Sequence, residues 1–216
     1  MIPEWMRALL GATAAPGLDE AMPWLLGAAL FGYLLGSIPF GLLLAKAMGL
    51  GDLRAIGSGN IGATNVLRTG NKKAAAGTLL LDALKGVAAV LIVRQVAGID
   101  AAAIAGAMAV VGHSFPIWLK FKGGKGVATF LGIMLALHLT SGLICCAIWV
   151  GMAKLFRFSS LSALVAVAAG PLSLMYFERY EAWALIALIA VLVWVRHHAN
   201  IARLLAGTEP RIGDKG

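Results

Sequence analysis

The stretch PWLLGAALFGYLLGSIPFGLLLAK, residues 23–46, decides the fold class. It contains no charged side chain before its last residue, Lys46, and a helix needs about 20 apolar residues to cross the hydrocarbon core of a bilayer. Further apolar runs follow at about 74–97, 101–119, 126–139, 141–154, 159–177 and 181–196. The pattern predicts an all-α integral membrane protein with about seven transmembrane helices.

Composition supports a lipid environment and a single domain. Hydrophobic residues make up 60% of the 216 residues and charged residues 13%, whereas a soluble domain carries about 25% charged residues. No polar block interrupts residues 22–205. We therefore predict an extramembrane N-terminal tail over 1–21 and one membrane domain over 22–211.

The distribution of positive charge predicts the orientation. Of the 18 Lys and Arg residues, 14 fall in loops at one face, Arg7, Arg94 and Arg179 fall at the other, and Lys85 lies within a span. Since Lys and Arg concentrate in cytoplasmic loops, the N-terminus is expected outside and the C-terminus in the cytoplasm. The formal net charge of +8 follows from this topology, and we expect no nucleic-acid partner.

The first polar constellation lies in the long loop after the first span. Gly57-x-Gly59-x-x-Gly62 matches a dinucleotide fingerprint in form, but that fingerprint requires a preceding strand, and here a membrane helix precedes it. Glycines still let backbone N–H groups approach an anion, and a helix starting near Ala63 would direct its positive end at it. A flexible linker is the alternative. The polar and charged neighbours are Arg54, Ser58, Asn60, Thr64, Asn65 and Arg68.

The second constellation runs from Gly112 to Gly126 and includes His113. A Walker loop would need Gly at 119 and Ser or Thr at 126, where this chain has Leu119 and Gly126. What remains is Gly123 and Gly124 before Lys125 at a helix N-terminus, a pattern suited to an anion. The alternative is a basic turn on anionic lipid.

The third constellation, Arg196-His-His-Ala-Asn-Ile-Ala-Arg203, lies where the last span emerges. On a continuous helix His197 and Asn200 share one face, which Arg196 and Arg203 extend. Such a face can bind an anion or move a proton. A positive-inside stop with polar caps is the alternative.

Isolated polar residues lie within the spans. Ser37 precedes Pro39, which frees backbone carbonyls in the first span. Asp82 and Lys85 lie at i, i+3 in the second span, and an ion pair at this depth usually faces the protein interior. We expect this pair to be structural rather than catalytic.

The charge count places all three constellations at one face of the membrane. Three anion-suited patches at one face indicate one or two phosphate-bearing substrates. No Ser–His–Asp order, zinc-ligand spacing or haem signature competes with them in the sequence, and the adjacent Cys145 and Cys146 do not have metal-ligand spacing.

Five motifs together resemble those of the bacterial acyl-phosphate:glycerol-3-phosphate acyltransferases, the PlsY family. The resemblance covers about 24–211. The motifs are Gly36-Ser-Ile-Pro-Phe-Gly41, Asp52-Leu-Arg-x-x-Gly-Ser-Gly-Asn-x-Gly-Ala-Thr-Asn65, Gly112-His-x-x-Pro116, Phe121-Lys-Gly-Gly-Lys-Gly126 and Arg196-His-x-x-Asn-Ile-x-Arg-Leu-x-x-Gly207.

The resemblance implies a seven-helix enzyme of the bacterial inner membrane with its active site facing the cytoplasm. Such an enzyme transfers a fatty acyl group from acyl phosphate to the 1-hydroxyl of glycerol 3-phosphate, and it releases lysophosphatidic acid and phosphate. The family uses neither acyl-CoA nor acyl carrier protein as donor. It needs no cofactor or metal, and it depends on the enzyme that makes acyl phosphate from acyl carrier protein.

The resemblance also assigns candidate roles to residues. Ser37, His197 and Asn200 are the candidate catalytic residues, and the family's proposed mechanism lets the acceptor's own phosphate take the hydroxyl proton. The candidate substrate-binding residues are Arg54, Gly57, Ser58, Gly59, Asn60, Gly62, Thr64, Asn65, Arg68, His113, Gly123, Gly124, Lys125, Gly126 and Arg203.

Two other functions compete with this one. A transporter of organic phosphate would show broken helices near the bilayer midplane, whereas these polar motifs cluster at one face. A scaffold that recruits anionic lipid through basic loops would tolerate alanine at Gly57, Gly59 and Gly124.

Overall fold

The computed structural model describes residues 18–214, and every regular element in that range is a helix. The helices are α1 (Leu18–Gly36), α2 (Phe40–Ala47), α3 (Ala63–Leu67), α4 (Lys72–Ser114), α5 (Val127–Leu137), α6 (Leu139–Phe156), α7 (Ser159–Tyr176), α8 (Tyr180–Arg196) and α9 (His198–Leu205), with 3-10 turns at Leu53–Ala55 and Ile117–Leu119. Helix α1 begins at Leu18, within the predicted tail 1–21, and the boundary between that tail and the membrane domain stays a prediction. Residues 1–17 of that tail lie outside the described range.

Helix α4 is two antiparallel segments that meet at Gly98. This glycine has φ 82° and ψ −176°, a backbone conformation that is essentially restricted to glycine. In a straight helix residues 85 and 113 would lie about 42 Å apart, yet Lys85 Nζ and His113 Nδ1 are 2.8 Å apart. The predicted turn at Gly98 and the separation of spans 74–97 and 101–119 are therefore confirmed.

Small residues bring α1 against the second segment of α4 at backbone distance. A Cβ atom on Gly32 would lie 2.1 Å from the carbonyl oxygen of Ala105, and one on Gly36 would lie 2.1 Å from that of Ala109. Both alanines are fully buried. Lipid tails are as apolar as leucine, so helices associate in a membrane through close packing of this kind.

The first predicted span, 23–46, is interrupted between Gly36 and Phe40. Pro39 lacks a backbone N–H and cannot continue the α1 hydrogen-bond pattern, so the chain restarts as α2. The carbonyl oxygen of Ile38, freed at this break, accepts a hydrogen bond of 3.0 Å from Lys85 Nζ. The hydrogen bond at this break therefore links the first span to the second one.

The number of spans stays a prediction. Within residues 18–214, four helical stretches are long and apolar enough to cross a membrane, or five if the bent pair α8–α9 counts as one span. The stretch that contains α4 counts once although it reverses at Gly98. Helix α5 has 11 residues and rises about 16 Å, about half of the hydrocarbon thickness.

Large apolar side chains cover the outside of the bundle. Leu30, Leu172, Leu188 and Val191 are each at least 60% exposed. In water such a surface would drive association, whereas in a bilayer it contacts lipid. The surface therefore agrees with the predicted class of integral membrane protein.

The contact between α1 and α4 yields a prediction for Gly32→Ala. The new methyl group would overlap the Ala105 carbonyl and force the helices apart, at a cost of roughly 1–3 kcal/mol. We expect a lower thermal midpoint in detergent, followed by tryptophan fluorescence. Gly27→Ala on the same helix is the matched control, because its Cβ atom would have no neighbour within 4 Å among the described residues; equal midpoints would contradict this packing.

Candidate active site

The three polar constellations meet around one cavity of about 860 Å³. The loop before α4, the start of α5 and the region around α9 each contribute to its wall. The predicted site residues that line it are Ser58, Asn60, Gly62, Thr64, Asn65, Arg68, His113, Lys125, Gly126, His197, Asn200 and Arg203. Segments that are up to about 150 positions apart in sequence thus share one space.

Asn200 connects two of these segments through its side-chain amide. Its Oδ1 accepts a short hydrogen bond from Lys125 Nζ, and its Nδ2 donates to Glu209 Oε1 at 2.6 Å. Lysine only donates and a carboxylate only accepts, so these two neighbours determine which way the amide faces. Asn200 is buried and held in a defined orientation at the cavity wall.

Glu209 is the carboxylate that the sequence analysis missed. Its side chain is 6% exposed and accepts hydrogen bonds from Ser160 Oγ at 2.6 Å, Asn200 Nδ2 at 2.6 Å and Arg203 Nε at 2.7 Å. Burial alone would raise its pKa, but these three donors and the Arg203 charge together lower it. The only sequence signal was an acid between two arginines, Arg203 and Arg211.

Lys125 is a partly desolvated cation at the entrance to α5. Burial lowers its pKa to about 8, because the charge of Glu209 offsets only part of the effect of burial and of the nearby Arg203 and Arg196 charges. A phosphate dianion beside Lys125 would stabilise its charged form. The free site is therefore suited to binding an anion.

His197 has a defined hydrogen-bonding arrangement. Its Nδ1 lies 2.7 Å from the carbonyl oxygen of Val193, and because a carbonyl only accepts, Nδ1 carries the proton. The neutral ring then has an unprotonated Nε2. His197 is buried and lines the cavity, so it can accept a hydrogen bond or a proton there.

The continuous helix predicted for Arg196–Arg203 is wrong. The chain bends by 59° between α8 and α9, at His197. His197, Asn200 and Arg203 line the cavity, whereas Arg196 does not. Arg196 Nη2 instead donates to the carbonyl oxygens of Gly123 and Gly124, at 3.2 and 3.3 Å. It also stacks on the Phe115 ring, with Cζ 5.0 Å from the centroid.

The first two N–H groups of the glycine-rich loop, Gly123–Gly126, hydrogen-bond to the protein backbone and are not free to bind an anion. Gly123 N–H donates to the Ser114 carbonyl at 3.1 Å, and Gly124 N–H donates to the His113 carbonyl at 3.0 Å. These two N–H groups are therefore already paired within the protein. In this part of the chain, the cavity is lined by Lys125, Gly126 and the first turn of α5.

The loop of residues 52–68 is held by its own side chains. Asn65 Nδ2 donates to the Leu53 carbonyl at 2.8 Å, and Arg54 N–H donates to Asp52 Oδ1 at 2.9 Å. Thr64 and Ser159 hydroxyls are 2.9 Å apart, which fastens the loop to α7. The predicted helix start at Ala63 is confirmed, although the helix has only five residues.

Some predicted site residues do not line the cavity. They are Ser37, Arg54, Gly57, Gly59, Gly123 and Gly124. Ser37 is buried at the break between α1 and α2, and its carbonyl oxygen accepts a hydrogen bond of 2.6 Å from Trp118 Nε1. Arg54 is exposed on the loop surface.

Comparison with known proteins identifies the family. The family model described as glycerol-3-phosphate acyltransferase matches residues 26–207. Proteins named glycerol-3-phosphate acyltransferase from Brucella suis and from Cereibacter sphaeroides (strain ATCC 17029) are each 58% identical to this chain. The matches cover 94% and 93% of this chain and the full length of each relative.

Solved structures agree with this family. A crystal structure of PlsY (YgiH), an integral membrane glycerol 3-phosphate acyltransferase, in its glycerol 3-phosphate form matches with a TM-score of 0.83 and 40% identity, over 88% of this chain and 96% of that one. The lysophosphatidic acid form matches with a TM-score of 0.79 and 38% identity, over 88% and 95%. The resemblance drawn from the five motifs is confirmed, and this chain belongs to the glycerol-3-phosphate acyltransferase family.

Proposed function

We propose that this chain transfers a fatty acyl group from acyl phosphate to the 1-hydroxyl of sn-glycerol 3-phosphate. The products are 1-acyl-sn-glycerol 3-phosphate, which is lysophosphatidic acid, and inorganic phosphate. The family relationship supports glycerol 3-phosphate as acceptor, since one related structure is a glycerol 3-phosphate form and another a lysophosphatidic acid form. Acyl phosphate as donor is our inference from the motifs and from the chemistry of the site.

A single cavity is lined by both cationic and apolar side chains, and this observation carries the proposal. Lys125, Arg203 and Arg68 line it, and their charges would offset the repulsion between two phosphate groups. Apolar lining residues suit an acyl chain that enters from the bilayer. They include Leu79, Leu131, Leu135, Cys146, Trp149 and Val150.

The reaction needs positioning more than a covalent nucleophile. An acyl phosphate is a mixed anhydride, so its leaving group is already phosphate. The ester bond forms between the acceptor's 1-oxygen and the acyl carbon, the bond from that carbon to the phosphate oxygen breaks, and the hydroxyl proton passes to the acceptor's own phosphate. A site that holds two anions side by side and orients the hydroxyl supplies most of what this step requires.

The described side chains suit these tasks. Lys125 neutralises phosphate charge, and Asn200 beside it can hydrogen-bond the acceptor hydroxyl or the developing oxyanion. The unprotonated Nε2 of His197 can accept a hydrogen bond from the acceptor. Glu209 also lines the cavity and orients Asn200 and Arg203 through the hydrogen bonds that it accepts from them.

The proposed location is the bacterial inner membrane, with the cavity facing the cytoplasm. The excess of Lys and Arg in loops on the cavity side supports this orientation. Acyl phosphate would then come from the enzyme that makes it from acyl carrier protein, on the same side of the membrane.

The donor is tested by incubating the purified protein with palmitoyl phosphate and glycerol 3-phosphate. We expect release of inorganic phosphate and lysophosphatidate in equal amounts, measured by phosphate assay and mass spectrometry. Palmitoyl-CoA in place of palmitoyl phosphate should give no product; turnover with palmitoyl-CoA alone would overturn the proposed donor. Uptake of glycerol 3-phosphate by liposomes without any donor would favour the transporter instead.

Truncation of Asn200 or Lys125 should abolish most turnover. Removing one donor to a developing charge costs about 100-fold or more in kcat, so Asn200→Ala and Lys125→Ala should each lose at least this factor while eluting as folded protein in detergent. Lys154→Ala is the control, because Lys154 is exposed and outside the cavity wall. A full rate in either site variant would show that the assigned residue is wrong.

The pKa of Lys125, lowered by burial to about 8, predicts a pH-dependent KM for glycerol 3-phosphate. A lysine binds phosphate in its protonated form, which predominates below its pKa and falls to about a tenth at one unit above it. KM should therefore rise by up to about tenfold between pH 7 and pH 9, since the phosphate, with a second pKa of about 6, stays dianionic. Lys125→Arg keeps its charge over this range, so its KM should not change with pH. If KM rises equally with pH in both proteins, Lys125 is not the cause of the pH dependence.

A further inference from the structure

Three ionisable side chains are buried at the cavity wall, which Asp82 and His113 line, and the reaction described above does not use them as a group. Asp82 and Lys85 are each 3% exposed and His113 is 5% exposed. They lie between the Ser37–Pro39 break and the glycine-rich loop. We propose that Lys85, held by Asp82, is a positioning residue that fixes His113 as a neutral ring with its proton on Nε2, where it donates to a phosphoryl oxygen of the bound substrate; this inference rests on the proposed function.

The contacts of Lys85 determine the state of the His113 ring. Lys85 Nζ lies 2.7 Å from Asp82 Oδ1, 3.0 Å from the Ile38 carbonyl oxygen and 2.8 Å from His113 Nδ1. An ammonium group has three N–H donors and no acceptor, so Lys85 donates to the Ile38 carbonyl oxygen and to His113 Nδ1, while it forms an ion pair with Asp82. His113 Nδ1 is therefore unprotonated.

Asp82 does not reverse this assignment. Its Oδ1 is 3.6 Å from His113 Nδ1, which is too long for a hydrogen bond. Asp82 acts on the ring through Lys85, whose charge it balances at 2.7 Å. With Nδ1 as acceptor, the neutral imidazole must carry its proton on Nε2.

Close packing against Gly124 restricts flipping of the His113 ring. Nε2 lies 2.1 Å from the position that a Cβ atom on Gly124 would occupy, so only glycine leaves room for it. Gly124 N–H donates to the His113 carbonyl at 3.0 Å, which fastens the same two residues through the backbone. Nε2 itself has no hydrogen-bond partner among residues 18–214, and His113 lines the cavity.

A fixed neutral donor suits a site that handles two phosphates. It provides an N–H to an anionic oxygen without adding a titrating charge, and a preoriented donor of this kind is worth most in a water-excluded site. The same Lys85 also holds Ile38, next to Ser37, at the break between α1 and α2. The cluster thereby aligns the first-span break, His113 and the glycine-rich loop with one another.

The activity test compares two substitutions at His113. Asn places a polar atom near the position of Nδ1 and keeps a partner for Lys85, whereas Gln extends an amide N–H toward the position of Nε2. We expect His113→Asn to lose about 100-fold in kcat/KM, with the rise in KM showing which of the two substrates the donor contacts. His113→Gln should stay within about tenfold of the native protein, and His138→Asn, the same change at a histidine outside the cavity wall, should be unaffected.

A structural role for His113 predicts the opposite result, because His113→Asn would then retain activity. Native-like kcat/KM for His113→Asn, or an equal loss in both His113 variants while both elute as folded protein, would overturn the proposal.

The tautomer is tested separately by 15N NMR of histidine-labelled protein in detergent. The native signal of His113, assigned from its loss in His113→Gln, should show Nδ1 unprotonated and Nε2 protonated, and Lys85→Met should shift it toward a mixture of both tautomers. A protonated Nδ1 in the native protein would refute the inference. Because this readout needs no turnover, it stands even if the acyl transfer assay fails, and the two failures are distinguishable.

Discussion

The close contact between α1 and the second segment of α4 is the constraint on which the site depends. Gly32 and Gly36 face the carbonyls of Ala105 and Ala109 at distances that leave no room for a side chain. Apolar burial gives little advantage between helices in lipid. This close fit and the hydrogen bonds beside it therefore determine the position of α1 along the second segment of α4. Tyr33 Oη donates to the Phe115 carbonyl at 2.9 Å, and Trp118 Nε1 donates to the Ser37 carbonyl. The polar break after α1 is thereby set beside His113 and the glycine-rich loop.

Charge balance is the second constraint, and Glu209 provides much of it. The cavity collects several cations in a partly desolvated space, where their mutual repulsion is poorly screened. Glu209 offsets this repulsion and accepts from Arg203, Asn200 and Ser160. The charge of Glu209 does not fully offset the desolvation of Lys125, whose pKa remains lowered to about 8. The remaining unbalanced positive charge is what a phosphate-bearing substrate would neutralise.

Several features of the fold and of the site could be predicted because they depend on local chemistry. The turn at Gly98 follows from a glycine-only backbone conformation, and the break before Phe40 follows from the missing N–H of Pro39. The inward position of Asp82 and Lys85 follows from the cost of unpaired charge in lipid. Other features were missed or wrong because they depend on partners distant in sequence. Glu209, for example, accepts a hydrogen bond from Ser160, which lies 49 positions earlier in the chain.

By itself the sequence determined the helical membrane class, the family, and the grouping of three anion-suited segments. Hydropathy, charge asymmetry and motif spacing depend only on the order of residues in the chain. Only the tertiary structure decided which members of each motif reach the cavity. The chain bends at His197, so that Asn200 lines the cavity and Arg196 does not, and the chain after α9 brings Glu209 to the Asn200 amide. These placements arise from the directions in which packed helices leave the bundle. No periodicity in the sequence encodes those directions, since they depend on backbone contacts between segments far apart in the chain.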